Sequence, residues 1–329
     1  MDFSQTNYKV ENIKSIEALP DFDDEYVYDI EVGGTHMFFA NEILVHNSIY
    51  VEFGRILKWC NVPKEDQTKF VVDLWNYSLG PYMNNKYEEY AKEYNCDKNI
   101  QNLELEKIAD TTLLFAKKRY AMSECWLEPN IYLPKGSHIL YKGLEIVKSS
   151  TSEYARECME DFVKFVLDWY RDNDEKLSLD RLVEKIEKYK ADFDYKDPDM
   201  ISFGSSVGNY DNYILKDKGE LVIADKCPAH IKAAGVYNYF LNKPENKKYK
   251  VKYNPIKNAD KIKWFYSNAT NNPYEVFAYI PGSFPGEFRV SIDMDIQFEK
   301  TILSFCNKVL DILGYQQIPN NLVHSQPLF

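Results

Sequence analysis

The chain has 329 residues, of which 45% are hydrophobic and 28% charged, so it can hold two or three domains that each bury a core. No stretch approaches the roughly 20 apolar residues of a membrane span, and Met1 is followed by neither a basic region nor an apolar run. We therefore expect no membrane partner and no signal peptide. Six scattered cysteines without a CxxC pair predict reduced thiols in a cytoplasm, rather than a disulfide framework or a zinc site.

The net charge of −11, taken alone, argues against nucleic-acid binding, but the acidic residues are concentrated at one end. Residues 1–47 contain ten acids and two lysines, which leaves a net charge of only −3 for residues 48–329. A nearly balanced body can still present a basic groove. The acidic segment is typical of a separate module.

Short strands are predicted within residues 1–47. Residues 27–32 alternate between apolar and polar types, Gly33 and Gly34 form a turn, and strands resume over 37–40 and 43–45. These apolar runs are too short for an independent core, so we expect this module to need a partner in order to fold.

The module ends in the tripeptide His46-Asn47-Ser48, with a second histidine, His36, ten residues before His46. Together with the stretch from Val27, this ending resembles the last two conserved blocks of an intein, which has a Hint-type β-fold. Because the stretch starts at Met1, it resembles only the C-terminal fragment, as in a split intein. The bare tripeptide is also compatible with an ordinary polar turn between strands.

The resemblance implies protein splicing, and the residue types fit that chemistry. The side-chain amide of Asn47 can attack its own backbone carbonyl, which forms a succinimide and cuts the bond to Ser48. The Ser48 hydroxyl can accept the upstream chain as a branched ester, and His46 can transfer a proton to the carbonyl or the leaving amine. By resemblance, His36 assists the cyclisation of Asn47, and Asp29 assists the earlier acyl transfers.

Residues 48–54 alternate like a strand, and they resemble the continuation of the metal-site motif Asp-Thr-Asp-Ser-Ile-Tyr of family B DNA polymerases. The resemblance implies that the two aspartates that bind the catalytic Mg²⁺ ions belong to a partner chain, the N-terminal polymerase and intein half. No metal ligand is then expected in this chain.

A helix is predicted over about 65–94, and a strand from Leu113 to Met122. Between them, residues 103–107, Leu-Glu-Leu-Glu-Lys, match a strand motif of the same polymerases. By resemblance, Glu106 is the carboxylate near the metal pair.

The predicted strand 113–122 contains four residues that match the family's Lys-Lys-x-Tyr element and that we assign to DNA binding: Lys117, Lys118, Arg119 and Tyr120. Three cations and an aromatic ring can hold the minor-groove edge and the phosphates of a primer terminus. By resemblance, Lys118 makes the minor-groove contact. The lysine run alone favours a solvated strand end, whereas the two motifs together favour the DNA contact.

Residues 142–151 resemble the junction between palm and thumb of these polymerases. Lys148 matches a second basic residue that contacts the primer end, and we assign Ser149 and Ser150 to the same DNA contact. Either serine is also a credible N-cap for the helix that follows.

Apolar stripes at helical spacing predict three helices beyond the junction, around 159–170, 179–189 and 298–309. Residues 205–210 and 226–231 resemble phosphate-contacting segments of phage-type members, although a loop and a helix start without a ligand is an equal alternative. Residues 247–253 alternate lysine with tyrosine or valine, which predicts a strand with a solvated basic face.

The last residues, from Ile318, follow the helix stop Gly314 and are predicted to be extended and mobile. They end in the apolar pair Leu328 and Phe329, which can anchor in a pocket of a sliding clamp, as apolar termini of phage-type members do. A frayed end that folds back on the thumb is the alternative.

The resemblance covers almost the whole chain and is strongest to polymerases of T-even-type bacteriophages, which implies the cytoplasm of an infected bacterium. It predicts a multi-domain chain, with an all-β intein fragment at 1–47, the α+β end of a palm at 48–143 and a mainly α-helical thumb at 144–329.

The implied function is that of a DNA-directed DNA polymerase fragment joined to its partner by trans-splicing. Its expected partners are the N-terminal half, primer–template DNA, dNTPs and a sliding clamp. Two alternatives stay open: an accessory DNA-binding subunit that associates without splicing, and a self-cleaving element alone.

Overall fold

A computed structural model describes residues 37–40, 43–46, 51–95, 99, 102–217 and 220–320. The predicted splicing residues Asp29, His36, Asn47 and Ser48 lie outside these ranges. The predicted clamp-binding residues Leu328 and Phe329 lie outside them as well. Within the described residues, no helix has the length and apolar character needed to cross a bilayer.

The chain forms two compact units, residues 1–61 and 62–329. In the first, strands β1 (Met37–Ala40) and β2 (Ile43–His46) pair antiparallel, which confirms the two predicted strands that are described. Helix α1 (Gly54–Trp59) follows. The strand predicted over 48–54 is wrong where it is described, because residues 51–53 pair with no other described strand and Gly54 already begins a helix.

The second unit opens with the helix predicted over 65–94. It consists of α2 (Gln67–Leu74), a π-helical turn at Trp75–Leu79 and α3 (Gly80–Glu93). Pro81 lacks the N–H that would continue a regular helix, and the wider π turn just before it accommodates that missing hydrogen bond.

A four-stranded antiparallel sheet follows, made of β3 (Lys107–Ala116), β4 (Arg119–Leu127), β5 (Ile131–Tyr132) and β6 (Ile139–Lys142). Strand β4 lies at its centre and pairs with the other three.

Two sequence predictions in this region are corrected. The strand predicted over 113–122 is a hairpin, because the chain reverses at Lys117 and Lys118 and Ala116 pairs with Arg119. Residues 103–106 are not a strand, because the amide of Asn84 holds the backbone of Leu103 through two hydrogen bonds, and β3 begins only at Lys107.

The first core of this unit is helical and lies against the β3–β4 hairpin. Its helices are α4 (Glu153–Asp172), α5 (Leu179–Phe193), α6 (Pro198–Ile201), α9 (Met294–Phe298) and α10 (Ser304–Ile312), with a π turn at Glu299–Leu303 between the last two. The three predicted apolar stripes are buried together, which confirms those helices. The N-cap of α4 is Ser152, not Ser149 or Ser150, because residues 148–151 form a turn that joins a 3₁₀ turn, Glu145–Val147, to the helix.

The second core combines a sheet with a helix. Strands β7 (Phe203–Ser206), β10 (Lys261–Tyr266) and β11 (Val276–Tyr279) form an antiparallel sheet in the order β11-β10-β7. Helix α8 (Ala229–Asn242) packs on it, and a short helix α7 (Tyr210–Tyr213) and the hairpin of β8 (Ile214–Asp217) and β9 (Glu220–Ile223) complete this part.

The prediction of a mainly helical thumb over 144–329 is therefore incomplete, because the described part of this stretch contains two sheets. Strand β11 is buried at all four positions. Its sequence therefore lacks the alternation of apolar and polar residues from which a half-buried strand is predicted. The strand predicted over 247–253 is also wrong: residues Pro244–Val251 form a 3₁₀ helix, which Pro244 starts with its fixed φ and which the amide of Asn246 ties to the carbonyl of Phe240.

Helix α10 ends as predicted, at Gly314 with φ of +75°. Beyond it, Ile318 is only 8% exposed and is held by both ends of the Asn307 side-chain amide. The described start of the tail is thus packed on the helical core, contrary to the mobile segment predicted from Ile318 onward.

Candidate nucleic-acid interface

The turn of the β3–β4 hairpin presents two lysines. Lys117 and Lys118 are exposed at the point where the strands reverse, and Lys118 has the left-handed backbone conformation, with φ of +58°. A non-glycine residue takes this conformation at a cost, so the surrounding structure must hold the turn in place.

Gly143 supplies part of that support. Strand β6 pairs with β4 so that Lys142 lies opposite Tyr120, and the chain then turns at Gly143, with φ of +64°. A Cβ atom on Gly143 would lie 2.4 Å from the carbonyl oxygen of Lys118. Only glycine allows the backbone to approach the lysine turn this closely.

Arg119 fixes the same turn from its other side. Its Nε donates to the carbonyl of Gly143 at 3.1 Å, and its Nη2 donates to the two carboxylate oxygens of Glu145 at 2.9 and 3.0 Å. Tyr120 is only 7% exposed. Of the four residues predicted to contact DNA here, Arg119 and Tyr120 anchor the hairpin, whereas Lys117 and Lys118 form its exposed turn.

The segment with Lys148, Ser149 and Ser150 is exposed and held through its backbone. Arg156 donates to the carbonyls of Ile146 and Lys148 at 2.9 and 3.0 Å. The N–H of Gly204, in β7, donates to the carbonyl of Ser150 at 3.1 Å. The side chains of this segment are thereby presented on a backbone that is fixed to both cores.

The carboxylate of Glu145 binds two cations in this region. Besides Arg119, it accepts a hydrogen bond from Nζ of Lys308, in α10, at 2.7 Å. Partial burial alone would raise the pKa of Glu145, but the hydrogen bond from Lys308 and the charges of Lys308 and Arg119 outweigh it and lower that pKa below its usual value.

Glu106 lies at the other end of β3 from the lysine turn, roughly 30 Å of strand away at about 3.3 Å per residue. Its side chain is 72% exposed and lies 3.3 Å from Nζ of Lys107. Lys107 also pairs at 3.1 Å with Glu124, a buried carboxylate whose other oxygen is 2.6 Å from Nδ1 of His138.

No group of three or more histidine, cysteine, aspartate or glutamate side chains among the described residues could enclose a metal ion. The role of Glu106 near a metal pair and Mg²⁺ binding by the assembled protein both stay predictions.

Comparison with known proteins decides the family. Residues 82–309, more than half of the chain, match DNA polymerase family B. The chain belongs to this polymerase family. Among its relatives are the DNA polymerase of Thermococcus aggregans, 31% identical over 169 residues, and that of Thermococcus litoralis, 28% identical over 183 residues.

The DNA-directed DNA polymerase of Enterobacteria phage T4 is 23% identical over 205 residues. These matches cover 50%, 55% and 59% of this chain, but only 8% and 9% of the two Thermococcus proteins and 21% of the phage T4 protein. The chain thus spans about a fifth of the phage polymerase or less than a tenth of the Thermococcus polymerases.

Three residues that support the candidate interface were not assigned from the sequence: Gly143, Glu145 and Lys308. Gly143 and Glu145 stand inside the junction motif, and a glycine directly after a predicted strand is a signal for a positive φ. Lys308 carries no such signal, because it lies 163 residues from the carboxylate that it contacts.

The two other segments predicted to contact phosphates, residues 205–210 and 226–231, lie in the second core. Ser205 accepts a hydrogen bond from Nε1 of Trp264 at 3.2 Å, and α8 begins at Ala229, as the predicted helix start requires. His230 is half-buried, and this burial lowers the pKa of its imidazole. Phosphate contacts by these polymerase segments stay a prediction.

The backbone pairing of β1 with β2 places one predicted splicing residue, His46, at the end of a strand. His46 is the last residue of β2 and pairs with Met37, the residue that follows His36 in sequence.

Proposed function

We propose that this polymerase chain holds the primer end of a primer–template DNA through the lysine turn of the β3–β4 hairpin and through Lys148. The observation that carries the proposal is the turn itself, in which Lys117 and Lys118 are exposed while Gly143 and Arg119 fix their backbone. Cations on a fixed backbone can contact phosphates and the minor-groove edge of a base without a large loss of conformational entropy.

Each part of the interface then has a defined task. Lys118 donates to the minor-groove edge of the primer–template duplex, and Lys117 and Lys148 contact phosphates. Ser149 and Ser150 add neutral hydrogen-bond donors beside Lys148. Arg119 and Tyr120 act indirectly, by holding the hairpin.

Nucleotide addition requires the rest of the polymerase. The two Mg²⁺ ions would supply charge stabilisation at the transferring phosphoryl group, with their aspartate ligands on the N-terminal half. In this chain, Glu106 would add a negative charge near those ions, and Lys107 would keep its carboxylate in position. The dNTP and the DNA are the substrates of the assembled protein.

The DNA contact is tested by Lys118→Ala in the assembled polymerase. The loss of one cation at the DNA edge should weaken primer–template binding by about 1–3 kcal/mol and lower the salt slope by about 1. Fluorescence anisotropy with labelled DNA over a range of salt concentrations measures both quantities.

The matched control is Lys188→Ala, which removes an exposed lysine paired with Glu184 on α5. This variant should bind DNA as the unmodified protein does. Equal binding by Lys118→Ala and Lys188→Ala would refute the proposed contact.

We also propose that residues 1–47 join the two polymerase halves by protein trans-splicing at the bond between Asn47 and Ser48. The ester formed on Ser48 would carry the upstream chain, and cyclisation of Asn47 would release the amine of Ser48 for the final peptide bond. The described strand pair supports the proposal, since β2 ends at His46, directly before the reacting residues.

Asn47→Ala tests the splicing step, because no side-chain amide remains to cyclise. Mixed with the N-terminal half, it should give no ligated product of normal mass, although a branched intermediate can accumulate. Replacing His46 or His36 should slow the same step by about 10²–10⁴-fold if each transfers a proton. Normal ligation by Asn47→Ala would refute splicing at this bond.

The alternative of a non-splicing accessory subunit predicts a different result for the unmodified chain. It would bind the N-terminal half without a covalent product of summed mass. Mass spectrometry of the mixture separates the two functions.

A further inference from the structure

The carboxylate of Glu145 joins two parts of the chain that are far apart in sequence. It accepts from Arg119, which starts β4 beside the lysine turn, and from Lys308, which lies in α10. The backbone carbonyl of Glu145 also accepts a hydrogen bond from the hydroxyl of Thr151 at 2.5 Å, so the residue is fixed from both ends.

One negative charge here faces two positive charges. The Glu145 side chain is 23% exposed, whereas Arg119 and Lys308 are 36% and 45% exposed. Arg119 directly follows the proposed DNA-holding turn, and its charged group and that of Lys308 are both engaged by this carboxylate. Without it, each could reach toward a phosphate.

We propose that Glu145 is a positioning residue that couples the lysine turn to α10 and keeps Arg119 and Lys308 away from DNA phosphates. This inference rests on the proposed DNA-holding function. Its effect is to reserve DNA contact for the lysines of the turn and Lys148, since phosphate contacts position a protein on the duplex and additional contacts from Arg119 and Lys308 would compete with that position.

Removal of this charge has two opposite consequences. Released cations would each add a phosphate contact, which steepens the dependence of binding on salt by about 0.9 per contact in logarithmic units. The hairpin would lose one of its anchors, so the primer end would be held less accurately. Binding at low salt should therefore be kept or strengthened while primer extension declines.

Glu145→Gln in the assembled polymerase tests the inference, since glutamine keeps the shape and removes the charge. We expect a steeper salt slope for binding of a labelled primer–template, by about 1–2. At saturating DNA, the rate of extension should fall by about 10-fold or more, because a small misplacement of a reacting end is costly.

Asp168→Asn is the matched control. Asp168 also accepts from two cations, Lys164 at 2.9 Å and Arg171 at 2.7 Å, but it lies on α4 and contacts neither the hairpin nor α10 through these bonds. This variant should leave the salt slope and the extension rate unchanged. A merely structural role for Glu145 would instead lower binding, extension and the melting temperature in parallel, which would overturn the inference, as would no change at all.

A second measurement does not depend on DNA. Lys308→Met keeps the apolar stem and removes the charge at α10, and coupling predicts faster amide hydrogen exchange at residues 116–119. Unchanged exchange there would overturn the coupling even if the DNA contact of Lys118 is confirmed. If instead Lys118→Ala leaves DNA binding intact while exchange responds to Lys308→Met, the proposed function fails and the coupling stands.

Discussion

Gly143→Ala should destabilise the polymerase chain and displace its lysine turn. An L-residue in the left-handed conformation costs about 1–2 kcal/mol, and the lower entropy of the unfolded alanine chain returns about 0.4–1 kcal/mol. The new Cβ would lie 2.4 Å from the carbonyl oxygen of Lys118, so the backbone of the turn must shift, at a cost typical of overpacking, about 1–3 kcal/mol. These contributions give a net loss of about 1–5 kcal/mol, or about 3 kcal/mol at the middle of each range.

Two other glycines allow the cost of the left-handed backbone to be measured separately from the cost of the steric contact. Gly282 has φ of +73° but open space around its Cβ position, and Gly208 has open space without a positive φ. Gly282→Ala should therefore cost about 1 kcal/mol, and Gly208→Ala should stabilise the chain by about 0.4–1 kcal/mol. The excess of Gly143→Ala over Gly282→Ala measures the contact with Lys118.

Urea unfolding of the full chain gives the three free energies, and anisotropy with primer–template DNA follows the turn in the assembled protein. Of Gly143→Ala and Gly282→Ala, only the first should weaken DNA binding, because it pushes on the backbone of Lys118. Equal unfolding free energies for Gly143→Ala and Gly282→Ala, with unchanged DNA binding, would refute the close packing of Gly143 on the turn.

Further predictions concern pH, packing and the tail. The pKa of Glu145 is lower in the folded than in the unfolded chain, so ionised Glu145 stabilises the fold. This stabilisation is complete above the unfolded pKa, near 4.5, and is lost as the pH falls through the folded pKa. Melting curves of Glu145→Gln should lack this loss below about pH 4.5. Phe305 is 1% exposed, and its ring centroid lies 5.6 Å from that of Phe115. Phe305→Ala should therefore lower the free energy of unfolding by about 3–5 kcal/mol. A loss under about 1 kcal/mol, measured by urea unfolding, would contradict this packing. Deletion of residues 325–329 should preserve extension of short primers and abolish stimulation by a sliding clamp; stimulation that survives the deletion would exclude this tail as the clamp-binding segment.

The helices could be predicted from the sequence because their signals are local. The stripe of Met159, Phe162 and Val166 has the period of a helix, and all three side chains are buried in the first core. The same reasoning failed at residues 247–253, where alternating lysines imitate a strand but Pro244 starts a 3₁₀ helix. A short alternating pattern does not distinguish a strand from a solvated helical turn.

The hairpin shows a second limit. Residues 113–122 contain no glycine, proline or asparagine that marks a turn, so the sequence predicts an uninterrupted strand. The chain nevertheless reverses at Lys117 and Lys118, where Arg119 donates to Gly143 and Glu145, 24 and 26 residues further along the chain. A turn that is stabilised by distant residues leaves little trace in its own residues.

The sequence by itself determined the polymerase family and the three long apolar stripes of the first core, since each depends on residue type and spacing along a short stretch. Only the tertiary structure decided which motif residues anchor and which are exposed: Arg119 turns to Glu145, whereas Lys117 and Lys118 remain at the surface. It also brought Lys308 to Glu145 across 163 residues. Pairing between charges so far apart depends on how the helices and strands pack together, and no local pattern records it.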